Sequence, residues 1–395
     1  QSFSWLRDLA AAAPRDRAAP IAEYLARRWL AAHAETVDDA GWRPDLWGWR
    51  MLHWATHAPL LLSSTDQVYR AALLNTLARG ARHLSRSADR VAPGMARIAA
   101  WSGVVTAALT IPGGERRMAR GEAGLTRALG QLVWDDGGVA SRSAVDQLTL
   151  VELLVQLRAV YDIRRIDPAP SLADTLRRAV SALKAVLMGD GALSSWQGGG
   201  PLSADRIEQA VAASGMRARA LRSAPDWGYQ RLVGGKTVVV VDAAPPPPAR
   251  MLSGGCASTL ACELSDGPHR MIVNCGGDRG TAASLPAEFA RALRASAAHS
   301  TLGLADTNST AIHPDGALGR GVGVVELARR EEEGGSFLDT SHDGYERRFG
   351  FIHRRHLYVA ADGREVRGED VLDPAPKRRN REANGAVATA IRGPG

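Results

Sequence analysis

At Trp196-Gln197-Gly198-Gly199-Gly200 the hydrophobic period of this 395-residue chain changes. Upstream, apolar residues recur three and four apart, the spacing of a helix face; downstream they alternate, the spacing of a strand. Arg50 to Leu62, Gln67 to Leu84, Gly94 to Leu109, Glu115 to Val133, Val145 to Tyr161 and Ser171 to Leu187 carry the helical pattern. Capping and breaking residues fall between them: Ser63-Ser64-Thr65-Asp66, Ile111-Pro112-Gly113-Gly114 and Asp167-Pro168-Ala169-Pro170-Ser171. Short connections between helices of similar length predict a layered array of antiparallel helical hairpins. Beyond Gly200, Tyr229 to Val233 and Lys236 to Asp242 read as a hairpin across Gly234-Gly235, and Ala257 to Leu264 pairs with His269 to Cys275 across Ser265-Asp266-Gly267-Pro268. Thr301 to Ala305, Gly321 to Ala328, Ser336 to Ser341 and Phe351 to Ala360 add strands, with one helix near Pro286 to Arg294 and an extended linker at Pro245 to Pro248. The expected architecture is α+β and multidomain: helices over 1–210, an antiparallel β-sandwich over 211–373, and an irregular basic tail over 374–395.

Composition permits this and excludes other classes. Hydrophobic residues make up 45% and charged residues 23%, so the chain is neither disordered nor collagenous. Its net charge of +7 comes from 49 basic and 42 acidic residues, but +4 of it lies in the last 22 residues. A body that carries only +3 tolerates an acidic polymer as ligand without demanding one. Only Lys184, Lys236 and Lys377 are lysines, a skew that coding bias explains more simply than anion binding. Cys256, Cys262 and Cys275 have neither zinc-knuckle nor disulfide-framework spacing, and Cys256 and Cys262 would share one strand face. No apolar run reaches the ~18 to 20 residues of a membrane span. The chain opens at Gln1 without a leader-like pattern. No RNP, helix-turn-helix or zinc-finger pattern accompanies the basic residues, which argues against nucleic acid. Arg329-Arg330 before Glu331-Glu332-Glu333 reads as a solvated turn.

The chemistry concentrates between Asn274 and Leu302, which holds Asn274-Cys275-Gly276-Gly277 and Arg294-Ala295-Ser296-Ala297-Ala298-His299-Ser300-Thr301-Leu302. A histidine opening a strand is by itself more often a packed residue than a catalyst. Here it sits among Gly255-Cys256-Ala257-Ser258, His342-Asp343-Gly344-Tyr345 and His353-Arg354-Arg355, an order that resembles the sandwich of the heparinase II/III family of polysaccharide lyases. Trp47-Gly48-Trp49, Asp136-Gly137-Gly138 with Ser141-Arg142-Ser143, and Gly189-Asp190-Gly191 before Trp196 are similar to that family's landmarks in the same order. The resemblance covers nearly the whole chain and implies an α/α toroid, an incomplete barrel of helical hairpins, before the sandwich. It also implies that the sandwich continues with more strands than this chain contains, hence a sequence truncated or out of register after about Ala375. The implied setting is the periplasm or cell envelope of a bacterium, and the implied partner is an acidic, uronate-containing polysaccharide.

Such a lyase works by β-elimination: a base takes the uronate C5 proton, a cation or donor neutralises the carboxylate, and an acid protonates the leaving 4-oxygen. The resemblance assigns His299 to base work or carboxylate neutralisation, with Arg294 beside it. The toroid half of the machinery departs from the family pattern. Gly94 and Met95 stand where an Asn-His pair is expected, Asp146 and Gln147 where a tyrosine is expected, and no tyrosine occurs between Tyr69 and Tyr161. Tyr345 is the candidate phenol from the sandwich side, and Tyr229 a weaker one. Trp47, Trp49, Arg50 and His53 form a cluster suited to sugar stacking and carboxylate clamping, although Trp at helical spacing is more often core. Family position adds Trp101, Arg142 and Asn274 as substrate contacts. No cofactor is expected; a structural zinc or calcium ion would have to use His342, Asp343 and His353. Two functions follow: a lyase on acidic polysaccharide, or a non-catalytic carbohydrate-binding relative in cell-envelope polysaccharide metabolism that has lost the toroid Asn/His and Tyr.

Overall fold

The computed structural model describes residues 1–38, 41–200, 202–248, 251, 254–277 and 285–376. Ten helices come first: α1 (Trp5–Ala12), α2 (Arg15–His33), α3 (Pro44–Thr56), α4 (Ala58–Leu61), α5 (Gln67–Ser87), α6 (Met95–Thr110), α7 (Glu115–Leu132), α8 (Ala144–Arg164), α9 (Pro170–Ala185) and α10 (Ala204–Ser214). They form the helical toroid. Asp66 caps α5 by accepting the Val68 and Tyr69 N–H groups at 2.8 and 3.1 Å, which is the role its position in the Ser-Ser-Thr-Asp stretch predicts. Glycines set how closely the helices cross. A Cβ on Gly48 of α3 would lie 2.0 Å from the Ala99 carbonyl oxygen of α6, and one on Gly103 would lie 2.6 Å from the Gly48 Cα.

Two antiparallel sheets follow. The first has the order β1-β2-β3-β4-β5, with β1 (Ser223–Ala224), β2 (Tyr229–Gly234), β3 (Thr237–Asp242), β4 (Cys262–Asp266) and β5 (His269–Ile272). The second has the order β6-β7-β8-β9, with β6 (Val325–Glu332), β7 (Gly335–His342), β8 (Phe351–Ala360) and β9 (Val366–Pro374). Short helices α11 (Ala287–Ala292) and α12 (Glu346–Phe349) interrupt the strands. β3 is buried along its whole length because it serves two cores. Val238 and Val240 join the toroid cluster, while Val239 and Val241 join the inter-sheet cluster with Leu338, Leu357 and Val359. A strand covered on both faces reads as a continuous apolar run, as Val238-Val239-Val240-Val241 does.

Several sequence expectations are corrected. The segment before Cys262 is irregular, so Cys256 and Cys262 do not share a strand face. Thr301 to Ala305 makes only the Leu304–Thr307 bridge, and His299 follows a single 3-10 turn rather than opening a strand. Arg329 to Glu332 lie in β6, not in a turn. Helices α1, α2 and α10 and strand β9 were not visible as periodic patterns. The expected tail lies, from residue 377 onward, outside the described residues.

Candidate functional site

The stretch that decided the fold also builds the site. Gln197, with φ of +44°, turns its side chain into the joint between toroid and sandwich. Its Nε2 donates to Asp242 (3.1 Å) and to Ser258 (2.9 Å), and its Oε1 accepts the Cys256 N–H at 2.8 Å. The Gly198 N–H donates to the Gly276 carbonyl at 2.7 Å, and a Cβ on Gly276 would lie 1.9 Å from the Gly199 oxygen. The two glycine stretches therefore zip backbone to backbone. Asn274 then ties this pair to the histidine segment: its Oδ1 accepts the Ser300 N–H at 2.7 Å, and the Cys275 N–H reaches the Ala298 carbonyl at 3.1 Å.

His299 lies at the centre, 7% exposed. Its Nδ1 faces the Ala295 carbonyl at 2.8 Å, so Nδ1 carries the proton and donates. Nε2 then holds the free lone pair, buried and without a partner among the described residues. Burial pushes the imidazole pKa below its ordinary value, only partly opposed by the Ala295 hydrogen bond and the charge of Asp242. Burial thus favours the neutral ring, with the Nε2 lone pair unprotonated. Arg294, on the same segment, donates Nε–H to the Gly255 carbonyl at 2.8 Å and keeps a buried Nη2 without a partner among the described residues. Below them the buried Glu263 receives the Ser195 N–H at 2.9 Å and Arg270 at 2.9 Å, and Arg270 reaches Asp190. Burial raises the Glu263 pKa, opposed by the Ser195, Arg270 and Asn274 contacts.

Other predicted contacts are placed elsewhere. Trp47 is fully buried among Trp29, Trp42 and Trp54, and Trp101 packs on Gly124, so neither indole offers a face to a ligand. Arg50 lies between the Trp29 and Trp47 rings and donates to the Gln1 and Gly41 carbonyls, with burial lowering its pKa to about 9. His53 stacks on half-buried Trp49 at 5.9 Å, and burial lowers its pKa to about 3. Arg142 spends all five N–H donors on Asp242 and on the Trp227, Gly228, Ala244 and Pro245 carbonyls. It is a structural joint with no donor left for a sugar acid.

The phenols are accounted for in the same way. Tyr345 is buried and donates to the Leu302 carbonyl at 2.7 Å, Tyr229 to the Arg142 carbonyl at 2.7 Å, Tyr161 to Glu122 at 2.9 Å and Tyr358 to the Gly334 carbonyl at 2.8 Å. Tyr69 packs under Arg27, and Tyr24 is exposed on α2. Gln147, where the family tyrosine is expected, is buried and braced by the Val139 N–H and the Gly137 and Ala179 carbonyls, each at 2.9 Å. A Cβ on Gly94 would meet nothing within 4 Å.

The proposed metal ligands do not fit an ion. The Gly344 N–H donates to His342 Nδ1 at 3.0 Å, so His342 Nε2–H donates to His353 Nδ1 (3.1 Å), and His353 Nε2–H donates to Asp370 (2.8 Å). Asp343 accepts the Gly323 and Val324 N–H groups. Every imidazole nitrogen is thus committed to a neighbour, and no cluster of three ligand-type side chains occurs among the described residues. Asp370 receives Arg355 as well, which donates onward to the Leu260 and Ser300 carbonyls, so this chain braces the residue next to His299.

Sequence reasoning missed Gln197, Asp242 and Glu263. Asp242 had a legible signal, an acid ending a run of four valines, and Gln197 was in view but carried no assigned role. Residues 216–392 match the family model described as heparinase II/III-like, C-terminal. FtsZ-localized protein C of Caulobacter vibrioides is 32% identical over 387 residues, covering 94% of this chain and 64% of that protein. A mutant of the heparan sulfate lyase HepC from Pedobacter heparinus superposes with a TM-score of 0.64 at 15% identity, over 91% of this chain and 60% of that one. The heparinase III BT4657 gene product gives 0.64 at 14% identity, over 94% and 64%. The chain thus spans about three fifths of the length of these relatives, and the solved structures speak for its fold.

Proposed function

Because residues 216–392 match the heparinase II/III-like C-terminal domain, we propose that the protein binds an acidic polysaccharide without cleaving it. The supporting observation is the phenol inventory: four tyrosine hydroxyls are donated to protein acceptors, Tyr69 is buried, Tyr24 is exposed on a helix, and Gln147 is braced where the family tyrosine is expected. With no phenol positioned to protonate the leaving oxygen, the elimination lacks a dedicated general acid, which disfavours cleavage. Binding requires no such acid. The name of the Caulobacter relative supports a place for this function at the bacterial division site, in association with FtsZ. Incubation with heparan, chondroitin, alginate and hyaluronan polymers should give no ultraviolet-absorbing unsaturated product, while at least one polymer is retained on the protein. Product formation would overturn the reading. A fluorescent fusion should co-localise with FtsZ, and diffuse signal would overturn that placement.

One observation favours the lyase reading instead, the unpartnered Nε2 of His299. If elimination occurs, this atom is the base, and His299→Ala should abolish it while Tyr345→Phe leaves it intact.

A further inference from the structure

We propose that a cavity formed wholly by the sandwich domain, between residues 305–322 and α12, is an arginine-lined site for a segment of acidic oligosaccharide. This deepens the binding function and rests on it. The cavity has a volume of about 960 Å³ and does not include His299 among its lining residues. That volume is near the upper end of ligand cavities, roughly 300–1,000 Å³, and suits an oligomer better than a single oxyanion.

Three guanidinium groups line the cavity: Arg320 from the loop after the Ile312–Leu318 bridge, and Arg347 and Arg348 from α12. Several arginines of this protein sit against a carboxylate, as Arg27, Arg177, Arg329 and Arg367 do. These three have no ion pair among the described residues; Arg348 only packs over the Phe349 ring, at 5.1 Å. Three guanidinium forks converge on one concavity and leave it net positive even beside Asp306 and Asp343, which favours an anionic ligand.

The lining also discriminates among anions. Asp306 and Asp343 share the wall with the arginines. Asp343 uses Oδ1 to accept the Gly323 and Val324 N–H groups, at 2.8 and 3.0 Å, which leaves Oδ2 as an acceptor. Carboxylates beside arginines repel a ligand that is anionic throughout, such as an acidic peptide or a polyphosphate. They suit one in which carboxylate or sulfate groups alternate with hydroxyl donors, as in a uronate polymer. The Asn308 amide adds a polar contact of the same kind.

The test measures binding of a size-defined heparin hexasaccharide and of an oligouronate to the full chain. Three forms are compared: wild type; Arg320→Ala with Arg347→Ala and Arg348→Ala; and a control with Arg82→Ala, Arg86→Ala and Arg116→Ala, exposed arginines of α5 and α7. All six side chains are exposed, and matching thermal melts establish that the variants fold. The expected result is a loss of about tenfold per cavity arginine, 100-fold or more in the triple variant, with the toroid control unchanged. Wild-type affinity in the cavity variant would overturn the assignment while leaving the binding function standing. Absence of binding by the wild type to either oligosaccharide would overturn the binding function and the site with it. Polyglutamate of matched charge binding as tightly as the hexasaccharide would overturn the choice of a saccharide.

Discussion

Replacing Arg142 with alanine should destabilise the whole protein, and the cost can be worked contact by contact. The guanidinium donates to Asp242, 0% exposed, and to four backbone carbonyls drawn from the β1–β2 connection and the segment after β3. Removing it leaves the Asp242 carboxylate with Gln197 and Ser258 but without its cation, and breaking a buried pair from one side costs about 3–5 kcal/mol. The Gly228 carbonyl still receives the Ala243 N–H and that of Ala244 still receives the Thr259 hydroxyl, so two orphans remain, on Trp227 and Pro245. At about 1 kcal/mol each, plus stacking on Tyr229 at 4.9 Å, the total approaches ~6 kcal/mol. That is comparable to the entire stability of many proteins, about 5–15 kcal/mol. Urea unfolding followed by tryptophan fluorescence and far-ultraviolet circular dichroism measures it. Arg142→Lys should recover about half, since one ammonium can meet Asp242 but cannot span the carbonyls. Arg142→Met combined with Asp242→Asn should cost less than the sum of the single changes. A loss below about 1 kcal/mol in Arg142→Ala, or strict additivity in the double variant, would refute the reasoning.

Three further outcomes follow from the same geometry. Gly48→Ala drives a methyl into the Ala99 carbonyl at 2.0 Å, and because backbone lies on both sides the α3–α6 crossing must widen; a loss of about 3 kcal/mol or more is expected in denaturant titration. Gln147→Tyr should lower the melting temperature and yield no unsaturated product, because a buried amide with three partners is lost and its bracing with it. Acidification should destabilise the protein. His53 and His342 are each held at about 3, first by burial, then by the neighbouring His57 and His353. Between about pH 6.5 and 3 the unfolded chain therefore binds more protons than the folded one. Stability is complete above the unfolded value of ~6.5 and falls as pH drops toward 3; His53→Leu should flatten that slope by close to one proton in pH-dependent urea titrations.

The helices and strands that carry a one-sided apolar stripe were legible in sequence, down to the β2–β3 turn and the cap at Asp66. What escaped was short or carried a stripe of small residues. β9 is largely exposed, and α2 buries only small alanines and two larger residues, so neither offers a period to read. Site residues split along a similar line. His299 and Asn274 were found because short motifs flank them. Trp47, Arg50 and Trp101 were assigned outward because residue chemistry alone cannot tell an indole in a core from one in a cleft. Arg142 shows the limit most clearly: an arginine suited to a sugar acid is equally suited to an aspartate 100 residues away.

That joint also determines how a ligand would be received. With Arg142, Asp242 and Gln197 fastening toroid to sheet, and Val238 and Val240 inside the helical core, the two halves have no free pivot between them. A ligand on either half therefore meets a frame that is already set. A polymer chain would enter without any domain closing over it, would pay no reorganisation cost, and would leave as readily as its contacts release it. Fast exchange along a long polymeric ligand, rather than capture and commitment, is the behaviour such a rigid frame favours.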